Sequence, residues 1–399
     1  MNTDTLRSKF ERYVMSTYSR FPVALVRGKG SWVWDVEGKK YLDFTSGIAV
    51  NSLGHSHPMI IKAVQEQSKK LIHSSNLFYN ESQVELAEIL VKNSFADKVF
   101  FCNTGTEANE GAIKLARRWG RANGGRYRII AAHGSFHGRT MGSLSVTGQK
   151  VYHDGFKPLV PGMKFVGYGK VKSLRKALDD SRVCAVIVEP IQGENGVVIP
   201  PRDYLREVRE LCTEKGVLLI LDEVQVGLGR TGRLFAYEHT NVVPDVMTLA
   251  KSLGGGVPAG AVLATDEVAV HFTPGSHGST MGGNPLAMHT ASVFINTLIG
   301  DGLLDNAARM GDYFLDALSS IGAKYKGMVK DVRGMGLILG VELRSADMGP
   351  ELFSSCLERG FLYIPTVEKV IRILPPLNVS TEEIDFALEA LDCAFGELS

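Results

Sequence analysis

The chain has no CxxC pair, no HExxH and no run of apolar residues near the roughly 18–20 that a membrane-spanning helix needs. It also lacks a dominant charge sign, low-complexity tracts and internal repeats. Its five cysteines, Cys102, Cys184, Cys212, Cys356 and Cys393, are far apart and odd in number. That excludes a disulfide framework or a zinc ribbon and suits a reducing cytoplasm. With 44 basic and 43 acidic residues scattered along the chain, nothing offers a basic face to nucleic acid or an anionic membrane. Residues 1–21 carry four basic residues and two acids but no apolar core, so they do not read as a targeting segment. What remains is an ordinary globular composition, 44% apolar over 399 residues, long enough for two or three domains.

The pattern along the chain is that of an α/β protein. Residues 28–44 alternate apolar and polar residues about a turn-prone VEGKK and predict a hairpin. From residue 59 helical periodicity takes over, with Asn80 as an N-cap. Strands are predicted at 99–102, 129–132, 183–189, 217–222, 246–250 and 259–264, with helices at 107–119 and 204–215. The runs at 183–188 and 217–221 show no polar alternation, as parallel strands covered on both faces require. This predicts a large, doubly wound, mostly parallel sheet domain over 59–291. The α+β texture of 292–399 predicts a smaller domain formed with residues 1–58.

The segment VLLILDEVQVGLGRTG…DVMTLAKSLGGG carries the chemistry. One apolar strand ends in Asp222 and a second ends beside Lys251. In an open parallel sheet both would face the crevice beyond the carboxyl ends of the strands. A lysine to form a Schiff base and a carboxylate to pair with a pyridinium nitrogen are what pyridoxal phosphate requires. In FFCNTGTEANEGAIKL a strand runs through a short turn into a helix whose start suits a phosphate. The segment GLGRTG matches the dinucleotide fingerprint, but four residues separate it from the strand and no apolar helix follows, so an NAD-dependent oxidoreductase is the remote alternative. The histidines of GHSHP and HGSFHG, without carboxylate–histidine spacing, are read as turn-forming and hydrogen-bonding, and no metal is expected.

Together with SFHGRTMGSLSVTG, EPIQGENGV, PGSHGSTMGGNPLA and RGMGLILGVEL, these motifs resemble the class-III (subgroup II) aminotransferases over nearly the whole chain. The resemblance implies the type-I fold of pyridoxal-phosphate enzymes and a homodimer with shared active sites. It makes Lys251 the residue that carries the cofactor and Asp222 the partner of its ring nitrogen. Gly105 and Thr106 would hold its phosphate, Phe136 would stack on the ring, and Gln225 would lie near the phenolic oxygen. Thr280 would reach the phosphate in the neighbouring subunit, and Ser279 would lie near substrate. Arg139 matches the arginine that binds the carboxylate of the amino donor, Arg372 the one that takes the α-carboxylate of glutamate or 2-oxoglutarate, and Glu194 the glutamate that covers Arg372 when an ω-amine is bound. Ile48 stands where ornithine-specific members carry tyrosine, which favours N2-acetylornithine as donor. Succinylornithine, succinyldiaminopimelate, 4-aminobutyrate and ornithine are the alternatives. Met281, Asn195 and Val226 depart from the commoner family residues close to the site.

Overall fold

The structure is a computed structural model that describes residues 1–367 and 369–399. Three short antiparallel strands open the fold: β1 (Leu25–Lys29), β2 (Trp32–Asp35) and β3 (Lys40–Asp43). The central sheet follows with β4 (Lys98–Cys102), β5 (Arg128–Ala132), β6 (Met163–Val166), β7 (Val183–Val188), β8 (Leu218–Asp222), β9 (Val246–Leu249) and β10 (Gly260–Ala264). The last part of the chain supplies β11 (Val329–Met335), β12 (Ile338–Leu343), β13 (Phe361–Leu362), β14 (Ile364–Thr366) and β15 (Val370–Ile373).

The central sheet has the order β4-β10-β9-β8-β7-β5-β6. Only β10 departs from the common direction: it runs antiparallel to both neighbours, β4 and β9. β7 and β8 are buried along their whole length, which is what their unbroken apolar sequence requires. Helices cover the faces. Helix Gly105–Ala122 lays Ala108, Ala112, Leu115, Ala116 and Trp119 against the sheet, one stripe at helical spacing. Its start is fixed by Thr104, whose hydroxyl accepts from the Glu107 N–H at 3.3 Å.

The remaining strands form two small sheets. β13 adds in parallel to β3, so the C-terminal part of the chain completes the N-terminal hairpin. β11, β12, β15 and β14 form an antiparallel sheet of their own. The expected boundary at 291/292 falls inside a single helix, Pro285–Gly300, that packs on helices Pro58–Ser68 and Glu81–Lys92. Several elements escape the sequence pattern, helix Val171–Leu178 and the short strands β13 and β14 among them. β6 is one strand in the middle of a turn-rich stretch, and helix Met348–Glu358 follows a polar loop. Helix Thr3–Tyr13, capped by Asn2, has Leu6, Phe10 and Tyr13 at helical spacing but buries none of its residues.

Candidate active site

The common direction of the parallel strands brings their carboxyl ends to one edge. There lies a cavity of about 270 Å³ lined by Gly105, Thr106, Phe136, Arg139, Glu189, Glu194, Asp222, Gln225 and Lys251, among others. Residues from five strand ends meet there although they are up to 147 positions apart, between Thr104 and Lys251.

Asp222 is buried at the end of β8, and three donors converge on it. His137 donates from Nδ1 to Oδ2 at 2.7 Å, Asn109 from Nδ2 to the same oxygen at 2.8 Å, and the Val224 N–H to Oδ1 at 3.0 Å. Asn109 is itself held: it donates to the His137 carbonyl at 2.8 Å and accepts from the Thr248 hydroxyl at 2.9 Å. The network ties helix Gly105–Ala122, the loop after β5 and strands β8 and β9 into one rigid support. Lys251 follows β9, and burial lowers its pKa to about 8. The N–H groups in the first turn of helix Gly105–Ala122 have no intrahelical acceptor, and Gly105 and Thr106 put that turn in the cavity wall. A Cβ at Gly105 would come within 2.8 Å of Val224, so the wall is drawn tight where only backbone is present. A dipole-bearing helix start, a lysine of lowered pKa and a buried, rigidly held carboxylate fit a phosphorylated pyridine aldehyde.

The loop after β5 closes one side. Thr106 Oγ1 accepts from the backbone N–H groups of Arg139 and Thr140 at 3.1 and 3.2 Å. The Phe136 N–H donates to Glu189 Oε2 at 3.0 Å. Burial, with the nearby Asp222 carboxylate second, raises the Glu189 pKa well above its usual range. At the mouth the Arg139 guanidinium sits over the Tyr152 ring, 3.9 Å from its centroid, and Phe136 meets the same ring edge-on.

Opposite, β15 delivers Arg372, which is 1% exposed. Its Nη1 donates to Glu194 Oε1 at 2.7 Å and to Gln225 Oε1 at 3.1 Å. Burial works against charge on Glu194, but Arg372 and then Lys251 outweigh it and hold the carboxyl below its ordinary range.

Of the residues expected from sequence, all but three line the cavity. Arg372 reaches it through Glu194 and Gln225. Ser279 instead accepts from Asn103 at 3.2 Å and from the Gly282 N–H at 3.0 Å, and Thr280 is exposed on the surface. Two of the four histidines of GHSHP and HGSFHG hydrogen-bond through their rings: His137 holds Asp222, and His55 pairs with Asp43 at 2.7 Å, whereas the buried His57 Nδ1 has no partner among the described residues. Among the described residues no group of His, Cys, Asp and Glu is arranged to hold a metal ion. GLGRTG forms turns followed by only a four-residue 3-10 helix, Ala236–His239, and its buried Arg230 donates to the carbonyls of Leu337 and Pro375. Sequence reasoning missed Asn109 and Glu189.

Residues 13–395 match the family described as Aminotransferase class-III. The acetylornithine aminotransferase of Caldanaerobacter subterraneus subsp. tengcongensis is 50% identical over 390 residues, covering 97% of this chain and 98% of that one. That of Aquifex aeolicus is 50% identical over 381 residues, 95% and 98% of the two chains. Among solved structures, ornithine aminotransferase from Toxoplasma gondii ME49 superposes with a TM-score of 0.97 at 36% identity, covering 100% of this chain and 96% of that one. Acetylornithine aminotransferase from Elizabethkingia anophelis gives 0.90 at 34% identity, with both chains covered in full.

Proposed function

As the chain belongs to the class-III aminotransferases, enzymes that use pyridoxal phosphate, we propose that it transfers the δ-amino group of N2-acetyl-L-ornithine to 2-oxoglutarate. The products are N-acetyl-L-glutamate 5-semialdehyde and L-glutamate, and the step belongs to arginine biosynthesis in the cytoplasm. One observation carries the reading beyond the family: a fully buried arginine, Arg372, covered by Glu194 within reach of the cavity that holds Lys251 and Asp222. An enzyme with two donors of different shape needs an arginine that can be masked for one and presented to the other. The names of the relatives support the choice of acetylornithine.

Pyridoxal phosphate bound here would supply an aldehyde carbon to receive the amino group and a conjugated ring to spread the charge left on the substrate carbon. Gly105 and Thr106 would hold its phosphate and Phe136 would cover its ring. Asp222, fixed by His137 and Asn109, would pair with the ring nitrogen as a partner that need not reorganise. Lys251 removes the proton from the δ-carbon of the donor, and it can do so near neutral pH because burial has brought its pKa to about 8. Arg139 binds the carboxylate of acetylornithine while Glu194 covers Arg372. In the second half-reaction Glu194 withdraws and Arg372 pairs with the α-carboxylate of 2-oxoglutarate. Gln225 bonds the same guanidinium nitrogen and keeps it oriented. Thr280 completes the phosphate site of the partner subunit in a homodimer, and Ser279 lies beside the substrate there.

The test is the first half-reaction on purified holoprotein without a keto acid. N2-acetylornithine should bleach the yellow cofactor band fastest, and 2-oxoglutarate should restore it. Faster bleaching by succinylornithine, succinyldiaminopimelate, 4-aminobutyrate or ornithine would reassign the donor. A protein inert to every amine would overturn the transaminase reading.

A further inference from the structure

The loop after β7 that carries Glu194 is seated on the face of the sheet that carries Arg372. Across that sheet Arg333 on β11 lies opposite Gly340 on β12, and Gly340 lies opposite Arg372 on β15, so the three share one row and one face. The middle position has no side chain. A Cβ at Gly340 would stand 3.0 Å from Val197 Cβ and 3.4 Å from the Gly196 carbonyl oxygen, so the loop rests on bare backbone between the two arginines. Arg333 grips it: Nε donates to the Gly196 and Val197 carbonyls at 3.1 and 2.9 Å, and Nη2 to that of Gly196 at 2.6 Å. The far side of the same guanidinium is anchored by Glu342 at 2.8 Å. Thr366, on β14 of this sheet, donates its hydroxyl to the Glu194 carbonyl at 3.0 Å.

The grip holds a strained backbone. Val197 has φ +55°, a left-handed conformation that a β-branched residue adopts only when its surroundings enforce it. Its side chain is buried among Ile191, Val226, Ile338 and Leu374. A loop free to move as a whole would relax there.

We propose that Thr366 and Arg333 are positioning residues for the Glu194 loop, holding its backbone on the Arg372 sheet so that Arg372 is uncovered by rotation of the Glu194 side chain alone. Discrimination between the two donors is then set by this seat as well as by Glu194. The inference rests on the reading that Glu194 masks the arginine that takes the α-carboxylate.

Thr366→Val keeps the shape of the side chain and removes the one hydrogen bond to the Glu194 carbonyl. Its masking of Arg372 should weaken by the worth of about one hydrogen bond, about fivefold. Two readouts report it: the ratio of glutamate to N2-acetylornithine half-reaction efficiencies, and the calorimetric Kd of glutarate, a dicarboxylate with neither amine nor keto group. Both should shift about fivefold toward the dicarboxylate in Thr366→Val and return to the wild-type values in Thr366→Ser. Arg333→Lys, which loses the planar fork, should move them the same way and serves if Thr366→Val does not fold. Glu194→Ala is the control. If it shifts both readouts while Thr366→Val and Arg333→Lys do not, the seat plays no part and the proposal falls. If Glu194→Ala itself shifts neither, the masking reading fails and takes this inference with it.

Discussion

Asp222 owes its position to residues that the sequence hides unevenly. Asp222 and Lys251 are legible because each ends a strand whose other residues are apolar, and polar groups at such points face a crevice. His137 is visible only as a histidine in a turn, since its partner lies 85 residues away. Asn109 did leave a signal: it interrupts the buried stripe of helix Gly105–Ala122, with Ala112, Ile113 and Ala116 at helical spacing from it. A polar residue on an apolar stripe must find buried partners. Asn109→Ala should therefore leave the His137 carbonyl without its Asn109 donor and the Thr248 hydroxyl without an acceptor, costing about 1–3 kcal/mol of stability in urea unfolding of the apoprotein. The half-reaction should slow by about tenfold or more as Asp222 loses its alignment. Unchanged unfolding with unchanged rate would show the network to be idle. Lys251 gives a second prediction at this scale. Its pKa is about 8 in the folded chain and near 10.5 in an ordinary one, so between these values the unfolded state binds more protons and stability rises with pH. Competitive acetylation of the apoprotein should show the Lys251 amine becoming reactive around pH 8, well before surface lysines. Lys251→Ala should abolish turnover altogether.

At the scale of elements, the readable ones are those that a single pattern dictates. β7 and β8 are unbroken apolar runs, and helix Tyr204–Lys215 has the bounds its periodicity predicts. The reversed direction of β10 is not readable, because β10 is as apolar and as buried as the parallel strands β7 and β8. Nor is the packing of one loop on another. The loop after β7 and the turn after β8 touch so closely at Gly193 that a Cβ there would lie 1.9 Å from Gln225 Oε1. Gly193→Ala should therefore drive Gln225 off Arg372. The expected result is a KM for 2-oxoglutarate raised by about tenfold, with a smaller change for N2-acetylornithine, whose half-reaction does not use the uncovered arginine. Equal changes in both would show that the substitution had merely distorted the cavity. Two neighbouring turns add strain of the same kind. Residues 46–49 run through four successive positive φ values, and Lys251 itself has φ +48°. The two turns are in contact, so the lysine is presented by backbone that only tertiary packing can hold.

At the scale of the whole molecule the chain exposes a cluster of large apolar side chains, the kind of face that marks an interaction site. Leu71, Ile72, Leu77, Phe78 and Tyr79 are all exposed, with Leu77 at 87% and Val84 and Met281 close by in the same region. This stretch is held in place by Asn76, which donates to the carbonyls of Ser279 and Gly282 at 3.0 and 2.8 Å. The apolar face and the loop bearing Thr280 are thus tied together by these hydrogen bonds. A second copy of the chain is the expected occupant, and Phe78→Glu should shift the protein from dimer to monomer in sedimentation and remove its activity. Complementation then separates shared sites from independent ones. Lys251→Ala has no working lysine, and Thr280→Val is expected to hold the cofactor phosphate poorly. In a mixed dimer, the site built on the lysine of the Thr280→Val chain would receive an intact threonine from its partner. Co-refolding the two inactive variants should therefore restore one site in two. If Thr280 served its own chain, that site would still lack its threonine and the other its lysine, so the mixture would stay as inactive as its parents.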